Sequence, residues 1–309
     1  LDRIAVYAEL HCLSNFSFLR GASHPEELVE RAAKLGYAAL AITDECSVAG
    51  VVRAHVAARE RGLKLIIGSE FRLEDGLRCV LLARDRAGYG RLCRLITRGR
   101  RAAAKGEYRL CRGDFFEITG RLTPNPYPLT PLLCLWLPAT QPDADAARWL
   151  ATLFPGQLWI AVELLTTGRD RRRLEQLQDL GRELKLPLVA AGDAHMHSRG
   201  RRALQDVLTA TRIGTTVERA GLALFQNGER HLRPIQRVAE LHPPELLAAA
   251  VEIASRCTFS LEELRYDYPR EIVPEGFTPT AWLQRLTEEG ARHRWPEGVP
   301  APTRQAIEH

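Results

Sequence analysis

The stretch Tyr7-Ala8-Glu9-Leu10-His11 places an acid and a histidine two residues apart, where an apolar run ends. On a strand, residues two apart point to the same face, so Glu9 and His11 are predicted to lie side by side with Tyr7. A carboxylate beside an imidazole at a strand end suits a metal or phosphoester site. The plainer interpretation is that His11 is an ordinary, partly buried and hydrogen-bonded histidine.

Further acids and histidines follow three other apolar runs of strand length. They are Asp44-Glu45 after residues 38–42, Glu70 after residues 63–67, and Asp193 with His195 after residues 187–191. One such group arises readily by chance, but groups at equivalent ends of successive strands indicate a common site. Imidazole and carboxylate are the ligands of Zn, Mn or Fe ions that activate water against a phosphoester.

Helical patterns alternate with these strands. A capping box at Ser23, with Pro25 at the first helical position and Glu26 reaching back, predicts a helix that ends at Gly36. Further helices are predicted at about 48–61, 88–101, 143–153 and 169–184, between apolar runs at 79–83, 132–137 and 158–165. This alternation predicts an α/β protein with parallel strand pairing, and the number of strands favours a barrel over a small open sheet.

Composition narrows the possible environments of the chain. Of its 309 residues, 26% are charged and 45% hydrophobic, and no apolar run approaches the roughly 20 residues that span a bilayer. The first residues lack the features of a secretory signal, and the seven cysteines are scattered. We therefore expect a cytoplasmic protein with reduced thiols and no membrane contact.

Positive charge is concentrated in two stretches of the chain. The segment Arg91–Lys105 contains six basic residues and no acid, and Arg169–Arg173 adds four arginines to a chain whose net charge is +5. Such patches suit a nucleic acid, and we predict DNA contacts at Arg98, Arg100, Arg101 and Lys105. A solvated helix face is the alternative interpretation.

The strand-end motifs together resemble those of a known family. The motifs are Glu9-Leu10-His11-Cys12-Leu13-Ser14-Asn15-Phe16-Ser17, Ala41-Ile42-Thr43-Asp44, Gly68-Ser69-Glu70 and Gly192-Asp193-Ala194-His195. They resemble the successive motifs of a polymerase-and-histidinol-phosphatase (PHP) domain. That resemblance implies a distorted seven-stranded βα barrel with a multinuclear metal site.

Other segments are similar to one branch of that family. They are Phe16-Ser17-Phe18-Leu19-Arg20-Gly21-Ala22-Ser23, Leu82-Ala83-Arg84 leading to Gly88-Tyr89, and Gln205-Asp206-Val207-Leu208. These segments resemble the amino-terminal part of bacterial C-family DNA polymerases. The variant Thr43-Asp44-Glu45-Cys46-Ser47 is most similar to the error-prone, damage-tolerant paralogue of the replicative alpha subunit.

Four positions depart from the family pattern. Leu13, Arg78 and Thr167 stand where the family has histidines, and Glu45 replaces the histidine that usually follows Asp44. The residues that match ligand positions are His11, Glu70, Asp193 and His195, with Glu45 and Glu9 as further candidates. The resemblance therefore implies a residual site in which Arg78 pairs with the surviving carboxylates in place of a metal. A retained Zn or Mn ion is the alternative.

The resemblance also predicts the domain arrangement. Residues 5–268 are expected to form the PHP domain, with a barrel core at about 5–215 and a helical extension at 216–268. Residues 269–309 are expected to be a linker and the incomplete start of a polymerase palm.

The complete enzyme would use Mg and act on DNA in damage-tolerant synthesis, with the sliding clamp and damage-response proteins as possible partners. The residual PHP site would be a non-catalytic scaffold; the alternative is a metal-dependent phosphoesterase or a proofreading 3′-5′ exonuclease.

Overall fold

The computed structural model describes residues 6–119, 131–265 and 272–308. Within them, seven strands form one sheet in chain order: β1 (Ala8–Glu9), β2 (Ala39–Ile42), β3 (Lys64–Arg72), β4 (Arg78–Ala83), β5 (Leu132–Trp136), β6 (Leu158–Glu163) and β7 (Leu188–Ala191). A parallel bridge between Cys12 and Ala194 brings the two ends of the sheet together. The sheet is a nearly closed barrel, which confirms the predicted seven-stranded α/β architecture.

Helices follow most of the strands, as the alternating pattern predicts. They are α1 (Pro25–Lys34), α2 (Val51–Arg61), α3 (Arg86–Arg101), α4 (Arg112–Thr119), α5 (Ala144–Leu153), α6 (Asp170–Leu184), α7 (Arg202–Arg212), α8 (Val217–Ala220), α9 (Ile235–Leu241) and α10 (Pro244–Arg256). Helix α2 ends at Gly62, whose φ of 64° is the left-handed conformation that glycine adopts without strain. Strand β2 is buried at every position, as expected for a strand covered on both faces.

The prediction that all strands pair in parallel is wrong for β4. This strand runs antiparallel to both β3 and β5. Only residues 73–77 join β3 to β4, and the Leu73 N–H donates to the Leu77 carbonyl at 2.9 Å. A connection this short cannot hold the crossover that parallel neighbours need. The reversal places the first residue of β4, Arg78, opposite Arg72 at the end of β3.

The start of α1 also differs from the prediction. The helix is capped by His24 instead of Ser23, and the Glu27 carboxylate, not that of Glu26, accepts a hydrogen bond from the His24 N–H at 2.9 Å. Ser23 has another role, because its hydroxyl lies 2.8 Å from the His197 ring and accepts from the His197 N–H at 2.9 Å. It thereby fixes the loop that follows β7.

The chain divides into two compact units, the first ending at Glu263 and the second beginning at Leu264. The second unit contains α11 (Pro279–Arg294) and α12 (Ala301–Glu308). The predicted domain boundary between residues 268 and 269 lies outside the described residues. Among the described helices, none is long and apolar enough to cross a membrane.

Candidate functional site

His11 follows β1 and lies at the centre of the predicted site. Its side chain is fully buried, with Nε2 3.0 Å from Oε2 of Glu70 and Nδ1 2.8 Å from Oε1 of Glu163. Burial by itself lowers the pKa of His11, but hydrogen bonds and charge from Glu163 and Glu70 outweigh it and raise the pKa above its ordinary value. An imidazolium that donates from both nitrogens satisfies this geometry. In that state neither nitrogen has a lone pair for a metal.

Glu70 lies in the buried end of β3 and has three basic side-chain partners. Besides His11, these are Arg78, whose Nη2 is 3.0 Å from Oε1, and Arg20, whose Nη2 is 3.2 Å from Oε2. Burial opposes ionisation of the carboxyl, yet Arg20, His11 and Arg78 together hold the pKa of Glu70 well below its ordinary value. Glu70 is therefore a carboxylate whose charge is already neutralised by protein groups.

Asp193 and His195 follow β7 and meet the same cluster. Asp193 adopts a φ of 45°, a left-handed conformation that aspartate accepts more readily than most residues. Its Oδ1 lies 2.9 Å from His195 Nε2 and 3.8 Å from His11 Nδ1. Burial, together with the charge of Arg20, lowers the pKa of His195 to about 3, so this imidazole is neutral. The structure thus brings together the four residues predicted from separate strand ends: His11, Glu70, Asp193 and His195.

The two further ligand candidates are placed differently. Both oxygens of the Glu9 carboxylate are engaged, one by the Tyr7 hydroxyl at 3.0 Å and the other by the N–H groups of His11 and Gly192 at 3.0 and 2.9 Å. Glu9 therefore joins the β1 and β7 ends of the barrel. The Glu45 carboxylate pairs with Arg20 and accepts from the Tyr108 hydroxyl at 2.9 Å, at the edge of the cluster.

Glu163 is a member of the cluster that sequence reasoning missed. It is the last residue of β6, so it lies near the end of its strand, as the predicted acids do. A signal was present, since an acid ends the apolar run 158–162. Leu164 and Leu165 follow it, however, so the apolar pattern continues past the acid and does not mark the end of the strand.

Three arginines occupy the space between these carboxylates. Arg78, the one expected from the sequence, pairs with Glu70, while Arg20 pairs with both Glu45 and Glu70. Arg230 pairs with Asp193 and lies over the Phe225 ring, 4.3 Å from its centroid. These guanidinium groups have side chains only 20–34% exposed. A buried carboxylate requires a compensating cation, and here arginines supply it.

The donor set fits a transition-metal ion poorly. Only His11, Glu163 and Asp193 among the described residues offer ligand atoms that all lie within 4.8 Å of one another. That set supplies one imidazole, whose two nitrogens already face carboxylates, and Asp193 already holds Arg230. Few neutral nitrogen donors and adjacent fixed positive charges both lower the affinity for a divalent ion.

At two of the positions where the resemblance implies a histidine, the residue present has a structural role. Leu13 is fully buried and its N–H donates to the Ala194 carbonyl at 2.8 Å, so this position closes the barrel. Thr167 lies in the turn before α6, where its N–H donates to Asp170 at 2.8 Å. Neither an alkyl group nor a threonine hydroxyl replaces the imidazole as a ligand.

The basic residues of α3 are of two kinds. Arg100 is turned toward the protein, where its guanidinium donates to the carbonyls of Glu45 and Cys46 at 3.1 Å and lies 5.5 Å from the Tyr108 ring centroid. Arg98 and Arg101 instead line a surface cavity of about 940 Å³ whose other basic residues are Arg91, Arg94 and Arg109. Two acids also line it, Glu74 and Asp114, and Asp114 pairs with Arg98. Lys105 is exposed in the loop after α3.

Comparison with known proteins places part of the chain in a described family. The PHP domain family model matches residues 9–119. Residues 9–119 therefore resemble a PHP domain at the level of a family model, in agreement with the motifs of the sequence.

The more specific resemblance is to one group of polymerases. Over 305 residues the chain is 59% identical to an error-prone DNA polymerase of Methylococcus capsulatus, a match that covers 99% of this chain and 28% of that protein. It is 55% identical over 308 residues to an error-prone DNA polymerase of Pseudomonas aeruginosa, covering 100% of this chain and 29% of that protein. The resemblance to bacterial error-prone DNA polymerases is thus confirmed. The chain spans less than a third of the length of these curated relatives.

A solved structure gives a weaker match. It is a two-domain protein from Bacteroides vulgatus that contains a predicted PHP-like metal-dependent phosphoesterase. The match has 14% identity and a TM-score of 0.42, and it covers 81% of this chain and 69% of that one. A TM-score this low does not characterise the fold or the site.

Proposed function

We propose that this chain is the PHP region of an error-prone DNA polymerase and that its own PHP site is a non-catalytic scaffold. The non-catalytic role is supported by the pairing of the carboxylates of the site with arginines. Glu70 and Asp193, at family ligand positions, are bound by Arg20, Arg78 and Arg230. A guanidinium cannot polarise water or a phosphoryl oxygen as a Lewis-acidic ion does, so the site retains the charge balance of a metal centre without its chemistry.

The complete polymerase would transfer nucleotides to a primer with Mg held by aspartates of a palm domain. Those aspartates are not identifiable in this sequence, so the chain alone is expected not to polymerise. We further propose that the second unit is the start of that palm and that the enzyme acts in the cytoplasm in damage-tolerant synthesis. DNA and the remaining domains of the same protein are its partners in this proposal, and the sliding clamp and damage-response proteins are candidates.

A DNA contact is proposed on the exposed side of α3. Arg98, Arg101 and Lys105 are the candidates there, with Arg91, Arg94 and Arg109 added because they line the same cavity. Several guanidinium groups around one concave surface suit the regularly spaced phosphates of a strand, and they would bind without sequence preference. Arg100 is removed from the contact set because its guanidinium is used by backbone carbonyls.

A metal-dependent phosphoesterase or 3′-5′ exonuclease is the second candidate function. It is favoured by the group of His11, Glu163 and Asp193, which offers three ligand atoms of suitable type close together. To bind an ion there, Arg230 would have to move away from Asp193, and His11 would have to lose a ring proton.

Metal content separates the two candidates. The chain is dialysed against Mn²⁺ or Zn²⁺, passed over a desalting column and assayed by elemental analysis beside Asp193→Asn and a matched surface variant, Asp179→Asn. The scaffold proposal expects all three to retain far less than one equivalent. Retention of an equivalent or more by the unmodified chain and by Asp179→Asn, lost in Asp193→Asn, would support the phosphoesterase instead.

A further inference from the structure

A cavity of about 380 Å³ opens directly onto the cluster of carboxylates and arginines. It is lined by five arginines (Arg20, Arg72, Arg78, Arg212 and Arg230) and by three acids (Glu45, Glu70 and Asp193). Its volume is within the range of small-molecule sites. The lining therefore carries an excess of positive charge, which is the reverse of what a metal site presents.

The five arginines are not equivalent. Arg20, Arg78 and Arg230 are paired with the three acids of the lining. Neither Arg72 nor Arg212 has an ion-pair partner in the part of the chain that the structure describes, and both are exposed. The unbalanced charge of the cavity therefore lies at its mouth, on these two side chains.

Arg72 lies close to another positive charge. Arg72 lies directly opposite Arg78 in the antiparallel pair of β3 and β4. Like charges at directly opposed positions of a sheet repel each other and destabilise the pairing. Arg78 is compensated by Glu70, but Arg72 is not, so an anion bound at this position would relieve the repulsion.

A second, independent observation comes from α7. Gln205, Thr209 and Arg212 recur at helical spacing and all line the cavity. Gln205 is 1% exposed, and its Nε2 donates to the Arg20 carbonyl at 2.8 Å. Its Oε1 is buried and has no hydrogen-bond partner in the described structure. Such an acceptor is rare in a folded protein, and a ligand that brings an N–H or O–H group would satisfy it.

The cavity also has an aromatic rim. Phe18 lines it, yet 82% of its surface is exposed to solvent. A phenyl ring that no other side chain covers is available as a platform for a flat ring, and base stacking on an aromatic side chain contributes about 1–3 kcal/mol.

We propose that this cavity binds a nucleotide without any metal ion. Arg72 and Arg212 bind its phosphate, Phe18 stacks on its base, and Gln205 Oε1 accepts from one of its hydroxyl or amino groups. The ligand is a deoxynucleoside monophosphate, either free or as the phosphorylated end of a DNA strand. This inference does not depend on the scaffold proposal, which concerns hydrolysis with metal present, whereas nucleotide binding is measured in a chelator.

The test is equilibrium dialysis of labelled dAMP against the chain in excess EDTA. We expect saturable binding to one site, absent for deoxyadenosine and weakened by salt. Each of Arg72→Gln and Arg212→Gln should weaken binding by roughly threefold to tenfold, since each removes a charge-assisted contact. Phe18→Ala should weaken binding of dAMP but leave competition by inorganic phosphate unchanged.

The matched control is the double variant Arg172→Gln with Arg219→Gln. It removes the same charge as Arg72→Gln with Arg212→Gln, from exposed positions that do not line the cavity.

A short 5′-phosphorylated strand that competes much better than dAMP would identify the strand end as the ligand, and equal competition would identify the free nucleotide. Absence of saturable binding, a requirement for added Mn²⁺ or Zn²⁺, or equal losses in the two double variants would overturn the inference.

Discussion

The arginines inside the barrel mouth and those along α3 are the same residue type in opposite settings. Arg20, Arg78 and Arg230 are each held against a carboxylate and have side chains 20–34% exposed. On the α3 surface, five arginines surround a cavity with only two acids. The first group is internal compensation for buried carboxylates, whereas the second leaves positive charge for an external anion.

The difference shows how burial decides what an arginine does. A buried carboxylate without a neighbouring cation is costly, so a guanidinium beside it stabilises the fold. On a solvated surface the same charge is screened and contributes little to stability, which leaves it available for a polyanion. Variants in the two regions should therefore affect different properties.

The largest effect is expected from Glu70→Gln inside the barrel. This change keeps the shape of the side chain but leaves Arg20, Arg78 and His11 without their shared carboxylate. We expect a loss of about 3 kcal/mol in the free energy of unfolding, as for other broken buried ion pairs. Urea unfolding near pH 7 measures it.

The control for Glu70→Gln is Asp75→Asn, which removes the carboxylate of an exposed pair with Arg112. It should cost less than about 1 kcal/mol. If Glu70→Gln costs no more than this control, the inner arginines are not held by buried charge and the contrast between the two regions fails.

The α3 surface should affect DNA binding instead. Alanine at Arg98 and Arg101 should weaken binding of a single strand by about tenfold at low salt and reduce the salt slope by about one to two. Fluorescence anisotropy at several salt concentrations measures both quantities. Binding that is insensitive to salt, or equal in the variant and the parent chain, would assign these arginines to a merely solvated face.

Arg100→Ala is the matched comparison on the same helix. Because Arg100 donates to two backbone carbonyls, its loss should lower the stability by about 1 kcal/mol and leave the salt slope unchanged. A fall in the salt slope equal to that of the Arg98 and Arg101 variant would return Arg100 to the DNA contact set.

The smallest effect concerns Asp114, which anchors Arg98 at the border of the α3 cavity. Burial opposes its ionisation, but the Cys111 N–H and Arg98 outweigh this and lower the pKa of Asp114. A carboxyl with a depressed folded-state pKa stabilises the protein above its unfolded pKa of about 3.9, and the effect disappears as the pH falls through the folded value. Asp114→Asn should therefore cost about 1 kcal/mol near neutral pH and less in acid. A cost that does not change with pH would show that charge is not involved.

Much of the fold was predictable because its determinants are local. Apolar runs of strand length and helices closed by glycine define most elements within a few residues, as at Gly62. The direction of β4 was not predicted correctly. It depends on the length of the connection between β3 and β4, whose five residues are too few for a crossover. The cap at His24 was missed because Ser23 is used by a distant partner, His197.

The site was predictable in part for the same reason. Acids and histidines at strand ends are visible in the sequence, and His11, Glu70, Asp193 and His195 do meet in the structure. Arg20 and Arg230 gave no local signal, because each lies far along the chain from its carboxylate partners and only the closed barrel brings them together. The cluster of basic residues in α3 is visible in the sequence. The sequence does not show, however, that Arg100 is turned toward backbone carbonyls of the protein while its neighbours line the surface cavity.

The most direct test of the central claim is metal-dependent hydrolysis by the unmodified chain. A primer labelled at its 3′ end is incubated with the unmodified chain and Mn²⁺ or Zn²⁺. The triple variant Leu13→His, Arg78→His and Thr167→His, which places imidazoles at three positions where the family resemblance implies them, is assayed beside it. We expect no nucleotide release from the unmodified chain. The triple variant should gain metal affinity, and each single change should do little because cooperating ligands are not additive. Robust metal-dependent release by the unmodified chain, abolished by Asp193→Asn, would contradict the account and show that the site is catalytic.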